Sequence, residues 1–154
     1  MINWGIIGPG NIARVFCNGL RFSKTGKATA VASRERAKAE KFAELFSIAT
    51  IHDSYESLLS DATIDAVYVS TIHPAHLECV IKVAEAGKHI LVEKPMGMNA
   101  GEVSQMIEAA RANDVFLMEA FMYRCHPQMQ RMADLNILLN TQLMPCAVQV
   151  QSVQ

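Results

Sequence analysis

A chain of 154 residues, 51% of them hydrophobic, is long enough to bury the core of one ordinary domain and is not a disordered protein. Lysine and arginine total 14 against 15 aspartates and glutamates, so the net charge of −1 gives no general attraction to nucleic acid or to an anionic membrane. No apolar run reaches the roughly eighteen residues of a membrane span, and the N-terminus lacks a basic segment followed by an apolar core, so we expect a cytoplasmic protein.

The N-terminal sequence MINWGIIGPGNIA predicts a buried strand, a glycine turn and the start of a helix. Residues 8–13, GPGNIA, fit the pattern G-x-G-x-x-G/A of dinucleotide-binding turns. Gly8 permits the sharp turn, Gly10 has no Cβ to block a pyrophosphate, and Ala13 is small enough for close packing of the helix. The phosphates would lie at the helix N-terminus, where free N–H groups and the helix dipole stabilise an anion.

The context of this turn favours cofactor binding over an ordinary loop. The turn follows an apolar run and opens a helix whose apolar residues recur at helical spacing. The residues that we expect on the inward face are Ile12, Val15, Phe16 and Leu20.

A second predicted strand, residues 28–33, ends at Ser33 and Arg34. In dinucleotide-binding folds an acidic residue at about this distance from the glycine turn selects NAD, whereas an arginine accommodates the 2′-phosphate of NADP. The arginine here favours NADP over NAD, and Arg36 and Lys38 add positive charge nearby. The alternative is that Arg34 and Arg36 are solvated residues that open the next helix.

In the remaining chain, predicted strands alternate with predicted helices. Strands are predicted at residues 48–52, 65–71, 89–92 and 115–118, and helices at 35–46, 55–59, 77–87 and around 103–110. In the helix at 35–46 we expect Phe42, Leu45 and Phe46 to face inward. This alternation predicts an α/β fold, a doubly wound parallel sheet with strand order 3-2-1-4-5-6. Ligands of such sheets bind beyond the carboxyl ends of the strands.

Lys94 is the strongest candidate for a catalytic group. It follows a predicted central strand, and a lysine there can hydrogen-bond a substrate hydroxyl or carbonyl oxygen. Glu93 precedes Lys94 and could hold the lysine side chain or tune its pKa, and Pro95 fixes the turn that aims it. The alternative for an isolated E-K-P sequence is a surface ion pair before a helix.

Two histidines, His73 and His76, follow the strand at 65–71. They lack the further ligands of a recognisable metal site, so we expect hydrogen bonds to ribose or substrate, with helix capping as the alternative. Arg124, after the last strand, could reach the same crevice. Cys17 and Cys79 fall within helical patterns and are expected to be buried thiols in a reducing compartment.

These residues resemble those of the glucose-fructose oxidoreductase, inositol dehydrogenase and MocA (Gfo/Idh/MocA) family, particularly its dihydrodiol dehydrogenase-type members. The sequence motifs that carry the resemblance are GPGNIA (8–13), VASR (31–34), SYESLL (54–59), DAVYVSTIHPAHLE (65–78), AGKHILVEKPMGMNA (86–100) and FLMEAFMYRCHPQ (116–128). The resemblance covers nearly all of residues 1–128, and the E-K-P motif between AGKH and a helix is specific to this family.

The resemblance implies a Rossmann-type domain at residues 1–122 of an NAD(P)-dependent dehydrogenase or reductase that acts on a sugar, a polyol or a cyclic alcohol or carbonyl. Lys94 matches the family's catalytic lysine, which often precedes a cis X-Pro bond, so a cis Lys94–Pro95 peptide is expected. The positions that match cofactor contacts are Gly8, Gly10, Asn11, Ile12, Ser33, Arg34, Lys38, Thr71, His73, His76, Glu93, Lys94 and Arg124.

Within residues 123–154 the resemblance ends, because residues 136–154 match the family poorly. Its members continue into a C-terminal domain with a large, open, mostly antiparallel sheet, which shapes the substrate pocket and forms the oligomer interface. We therefore expect a linker helix and the truncated start of that domain here, with Val148 and Val150 in a strand that is disordered or pairs with another chain. The alternative function is a non-catalytic NADP-binding sensor or remnant.

Overall fold

The structure, a computed structural model, describes residues 1–138. It divides into a compact unit, Met1–Ala120, and a second unit that begins at Phe121. The strand predicted around Val148 and Val150 lies outside the described residues. Within the described part of the chain, no helix combines the length and apolar character that crossing a membrane requires.

The first unit is built on a six-stranded sheet in which every pair of neighbouring strands is parallel. The strand order is β3-β2-β1-β4-β5-β6, which confirms the predicted order. The strands are β1 (Ile2–Ile7), β2 (Gly26–Ala32), β3 (Thr50–His52), β4 (Ala66–Val69), β5 (His89–Glu93) and β6 (Leu117–Ala120).

Helices connect the strands and cover both faces of the sheet. They are α1 (Asn11–Leu20), α2 (Arg36–Phe46), α3 (Tyr55–Leu59), α4 (His76–Glu85) and α5 (Ala100–Ala112), and α6 (Pro127–Leu138) belongs to the second unit. A 3-10 turn, His73–Ala75, leads into α4, and another, Met122–Cys125, precedes α6. Gly87, at φ +69°, follows the end of α4 in the left-handed conformation.

Alternate residues of each strand contribute to two separate cores. Ile6, Val31 and Tyr68 pack with α1 and α2 residues on one face. Ile7 and Val69 pack with residues of α4 and α5 on the other. Because both faces are covered, β4 and residues 4–7 of β1 form continuous buried or partly buried runs, as expected for a parallel sheet.

Two inward-facing residues were predicted wrongly. Val15 is 52% exposed and Leu45 is 50% exposed. The buried line of α1 passes through Ala13 and Cys17, and Val15 lies two residues from each, about 200° around the helix. Leu45 has the same offset from the buried Ala43 of α2, so it too points to solvent.

Three strands start two residues away from the predicted position. β2 starts two residues early, since Gly26 and Lys27 pair with β1. β3 starts two residues late, since Ser47 adopts a left-handed conformation (φ 54°) where α2 ends. β6 also starts two residues late, after the left-handed Asp114 (φ 53°). It extends to Ala120, so Glu119 lies inside the strand rather than after it.

Candidate cofactor-binding and catalytic site

The glycine turn after β1 is fixed by the end of β4. Gly8 has φ +85°, and a Cβ there would lie 2.8 Å from the backbone C and O atoms of Ser70. The Ser70 hydroxyl donates to the carbonyl oxygens of Ile7 and Gly8, at 3.1 and 2.9 Å. Glycine is therefore required at position 8 by both conformation and space.

The second glycine of the turn faces open space. A Cβ on Gly10 would have only one heavy atom within 4 Å, the Gly8 carbonyl oxygen at 4.0 Å. Gly10 is also the N-cap of α1, where no side chain caps the helix and no acidic residue lies in the first turn. Asn11 is exposed and Ile12 is partly buried at this helix start. The result is an uncapped helix N-terminus that suits an anion.

The three basic residues after β2 differ in what they contact. Arg36 pairs with Glu40 at 2.8 Å and also with Asp53, and Lys38 pairs with Glu35 at 2.6 Å. Arg34 is exposed and makes no ion pair within residues 1–138. Ser33 is buried, and its hydroxyl accepts from the Glu35 backbone N–H at 3.2 Å, so it forms the turn that presents Arg34.

The chain after β4 carries three predicted site residues in different environments. His76 is completely buried, whereas His73 is exposed and its ring lies edge-on to His76 at a centroid distance of 5.6 Å. Thr71 is partly buried, and its carbonyl oxygen lies 3.2 Å from Nε2 of His76. The predicted role of His76 as a cofactor contact stays a prediction, but its ring nitrogens are already used inside the protein.

Glu93, at the end of β5, is buried and held at both carboxylate oxygens. The Tyr68 hydroxyl donates to Oε1 at 2.5 Å, and the Lys94 backbone N–H donates to Oε2 at 3.1 Å. Burial, followed by the adjacent Glu93 carboxylate, raises the pKa of Tyr68 well above its usual range. The phenol is therefore a stable donor to Glu93.

The Lys94 side chain is exposed, while the turn that carries it is anchored. The Lys94–Pro95 peptide is cis, as the family resemblance implied. His76 Nδ1 lies 3.1 Å from the carbonyl oxygens of both Pro95 and Met96. The Met96 N–H donates to Glu119 Oε1 at 2.8 Å. Backbone contacts thus fix the turn and leave the ammonium accessible.

The predicted residues of the first unit form two groups at the carboxyl ends of the strands. We call Gly8, Gly10, Ser33 and Arg34 the glycine half, and Thr71, His76, Glu93 and Lys94 the lysine half. Arg124 lies on the 3-10 turn of the second unit, and its predicted role stays a prediction.

Sequence reasoning missed three residues that support the site. Ser70, Tyr68 and Glu119 contact the backbone or the side chains of predicted site residues. Tyr68 lies in an otherwise apolar strand and so had the pattern of a core residue. The available signal was a polar atom in a strand of a sheet that helices cover on both faces. A buried polar atom there needs a hydrogen-bond partner.

The thiols of Cys17 and Cys79 are buried and free, as predicted. Burial raises the pKa of Cys17 to about 12, and burial also raises the pKa of Cys79. Among the described residues, no three His, Cys, Asp or Glu side chains form a group that could hold a metal ion.

The geometry agrees with the comparisons to known proteins. Residues 2–121 match the model of the Gfo/Idh/MocA oxidoreductase family with an NAD-binding Rossmann fold. The chain belongs to this family. The match confirms both the predicted family and the predicted fold class of the first unit.

Among Gfo/Idh/MocA relatives, a trans-1,2-dihydrobenzene-1,2-diol dehydrogenase of Danio rerio is 47% identical over 128 residues, which is 82% of this chain and 38% of the relative. The Mus musculus protein of that name is 41% identical over 135 residues, 86% of this chain and 40% of the relative. The chain thus spans about two fifths of the length of these curated relatives.

Solved structures of the family show the same fold. KijD10, a 3-ketoreductase from Actinomadura kijaniata solved in complex with NADP, superposes with a TM-score of 0.81 at 34% identity over 89% of this chain and 44% of its own. A putative myo-inositol dehydrogenase from Sinorhizobium meliloti 1021 gives a TM-score of 0.81 at 25% identity, over 89% of this chain and 42% of its own.

Proposed function

We propose that this chain is the NADP-binding part of an oxidoreductase that transfers hydride between nicotinamide and a sugar, a polyol or a cyclic alcohol or carbonyl. The observation that carries the proposal is the uncapped N-terminus of α1 beside the open face of Gly10. Its relatives support this, since one is a ketoreductase solved with NADP and others are named diol dehydrogenases.

The glycine half fits a dinucleotide at the place where the backbone would approach it. A pyrophosphate needs free N–H groups and the absence of a Cβ, and Gly10 and the start of α1 offer both. Arg34, without an ion pair among the described residues, can pair with a 2′-phosphate. We therefore propose NADP as the preferred cofactor, with NAD as the weaker one.

When bound, the nicotinamide supplies or accepts the hydride, and the lysine half handles the substrate oxygen. The Lys94 ammonium is exposed at the end of β5 and can donate a hydrogen bond or a proton to a hydroxyl or carbonyl oxygen. Glu93 holds the Lys94 backbone N–H, so it sets the direction in which the lysine leaves the strand. Lys94 is thus the proposed catalytic residue.

A calorimetric titration of this chain with NADPH and NADH tests cofactor binding. We expect tighter binding of NADPH, and Arg34→Ala should weaken NADPH binding by about 1.5–3 kcal/mol while leaving NADH nearly unchanged, because it removes a charge-assisted contact to the 2′-phosphate alone. Arg111→Ala, an exposed arginine in the last turn of α5, is the matched control. Absence of binding by the unaltered chain would refute the proposal.

A Lys94→Ala variant separates an enzyme from the alternative, a sensor or remnant that binds NADP without turnover. The proposal predicts that the variant loses NADPH oxidation with carbonyl substrates but keeps NADPH affinity. Retained turnover would rule out Lys94 as the catalytic residue, and no turnover by the unaltered chain would favour the sensor.

We also propose a reducing, cytoplasmic compartment, which the free buried thiols of Cys17 and Cys79 support. Homo-oligomer formation and the assignment of residues 123–154 to a substrate domain stay predictions. Size-exclusion chromatography with light scattering tests the first of these.

A further inference from the structure

His76 is the least exposed of the predicted site residues, and its whole ring is enclosed at 0% exposure. Its position at the start of α4 places it between the chain that leaves β4 and the chain that leaves β5. Nε2 lies 3.2 Å from the Thr71 carbonyl oxygen, and Nδ1 lies 3.1 Å from the Pro95 and Met96 carbonyl oxygens. The ring therefore joins two loops that are 24 residues apart in sequence, from Thr71 to Pro95.

Every one of these partners is a carbonyl oxygen, which can only accept a hydrogen bond. A neutral imidazole has a proton on one nitrogen and a lone pair on the other. The ring therefore donates to a carbonyl oxygen of one loop and lies within contact distance of a carbonyl oxygen of the other.

The surroundings of the ring complete this pattern. The peptide between Pro95 and Met96 presents its oxygen to His76 and its N–H to the Glu119 carboxylate. Its dipole is thus aligned between a donor ring and an anion, which strengthens both hydrogen bonds. Glu93 adds a second carboxylate, bonded to the Lys94 N–H on the same turn. The turn that the ring contacts is thus also held by two carboxylates.

We propose that His76 is a positioning residue whose two ring nitrogens contact carbonyl oxygens of both loops, so that the ring ties the chain after β4 to the turn that carries Lys94. It acts through the backbone and does not touch the cofactor or the substrate. The relevance to catalysis rests on the proposed function, because that function gives Lys94 its role. The tie itself is a property of this chain and is testable without cofactor or turnover.

Two amide substitutions separate the two sides of the tie. The asparagine amide group reaches the position of Nδ1, whereas the longer glutamine amide reaches that of Nε2. His76→Asn should keep the contacts to Pro95 and Met96 and lose the one to Thr71, and His76→Gln should do the reverse. Each amide has an NH2 group to donate, but it cannot serve both loops.

Backbone amide spectra of the 15N-labelled chain measure separately the contact to Thr71 and the contacts to Pro95 and Met96. The amide signals that report on the three carbonyl groups belong to the following residues, Ile72, Met96 and Gly97. We expect His76→Gln to move the signals of Met96 and Gly97, and His76→Asn to move that of Ile72. Equal movement of all three signals in both variants would overturn the proposal, because a purely space-filling ring would give that result.

The control and a second measurement keep the test decisive. His89→Gln replaces a histidine at the amino end of β5, whose Nδ1 accepts from the Phe116 N–H at 3.1 Å, and should leave all three signals in place. Long-range 1H–15N spectra of the unaltered chain should show a His76 ring proton that exchanges with solvent far more slowly than that of the exposed His73. Equal exchange at the two rings would overturn the proposal even if neither variant folds.

Turnover gives the functional consequence where the proposed function holds. His76→Gln should lower the turnover rate by about tenfold or more, because the Lys94 turn loses its anchor, while NADPH affinity changes by less than about threefold. If the unaltered chain does not bind NADPH, the proposed function fails, but the amide test still decides whether the tie exists. A turnover rate unchanged in His76→Gln would overturn the positioning role.

Discussion

The two halves of the candidate site differ in whether backbone or side chains form them. The glycine half is backbone, with an open face at Gly10 and an exposed Arg34. In the lysine half, the buried side chains of Glu93 and His76 bond to Tyr68 or to the backbone and hold the turn that carries the exposed Lys94. The first presents an open backbone face, whereas the second is arranged to hold one turn still. A site that must both bind and react needs each kind of construction.

The largest expected effect concerns the thiols, of which Cys17 lies in α1 behind the glycine half and Cys79 in α4 behind the lysine half. A pKa of about 12 for Cys17 lowers its thiolate fraction at pH 8 by roughly a thousandfold relative to an ordinary thiol, and its reactivity should rise only as the pH approaches 12. We expect both buried thiols to resist a disulfide reagent in the folded chain, and the exposed Cys125 to react fast. Rates followed by mass spectrometry, with a denatured control, check this. Fast reaction of Cys79 alone would show that the lysine half is the looser one.

The two glycines of the turn should respond oppositely to alanine. Gly8→Ala should cost about 2–4 kcal/mol of unfolding free energy, because the Cβ meets the Ser70 backbone and the residue sits at positive φ. Gly10→Ala should fold normally, because its Cβ meets open space, but should weaken NADPH binding at least about tenfold. Urea denaturation and calorimetric titration measure the two effects. Normal NADPH affinity in Gly10→Ala would mean that the pyrophosphate does not approach this residue.

Removing the Tyr68 hydroxyl tests the lysine half. Tyr68→Phe should lower the unfolding free energy by about 1–3 kcal/mol, because the buried Glu93 carboxylate loses its donor. Since folding raises the pKa of Tyr68, its contribution is present below about pH 10 and is lost as the pH rises above that value, so the alkaline loss of stability should be smaller in the variant. Tyr55→Phe, a partly buried tyrosine on α3, is the control. An equal unfolding free energy of Tyr68→Phe and the unaltered chain would contradict a stabilising hydrogen bond between Tyr68 and Glu93.

The sequence predicted the glycine half better than the lysine half, for a physical reason. The roles of Gly8 and Gly10 follow from local backbone geometry, which six consecutive residues determine. The lysine half depends on side chains that meet only after β4 and β5 pair, such as Tyr68 with Glu93, which are 25 residues apart. The errors at Val15 and Leu45 have a related cause, since helical spacing alone left the centre of each buried stripe undetermined.

The smallest expected effect belongs to Lys38, and it sharpens the assignment of the glycine half. Lys38 pairs with Glu35 at 2.6 Å, and both side chains are more than half exposed, so the pair contributes about 0–1 kcal/mol. Lys38→Ala should therefore leave stability within about 0.5 kcal/mol and weaken NADPH binding by less than about threefold. It also frees the Glu35 carboxylate beside Arg34, so any weakening should affect NADPH more than NADH and should diminish at high salt. Titrations at two salt concentrations check this. A loss as large as that of Arg34→Ala would make Lys38 an equal partner in binding the 2′-phosphate, because a solvated ion pair with Glu35 cannot account for it.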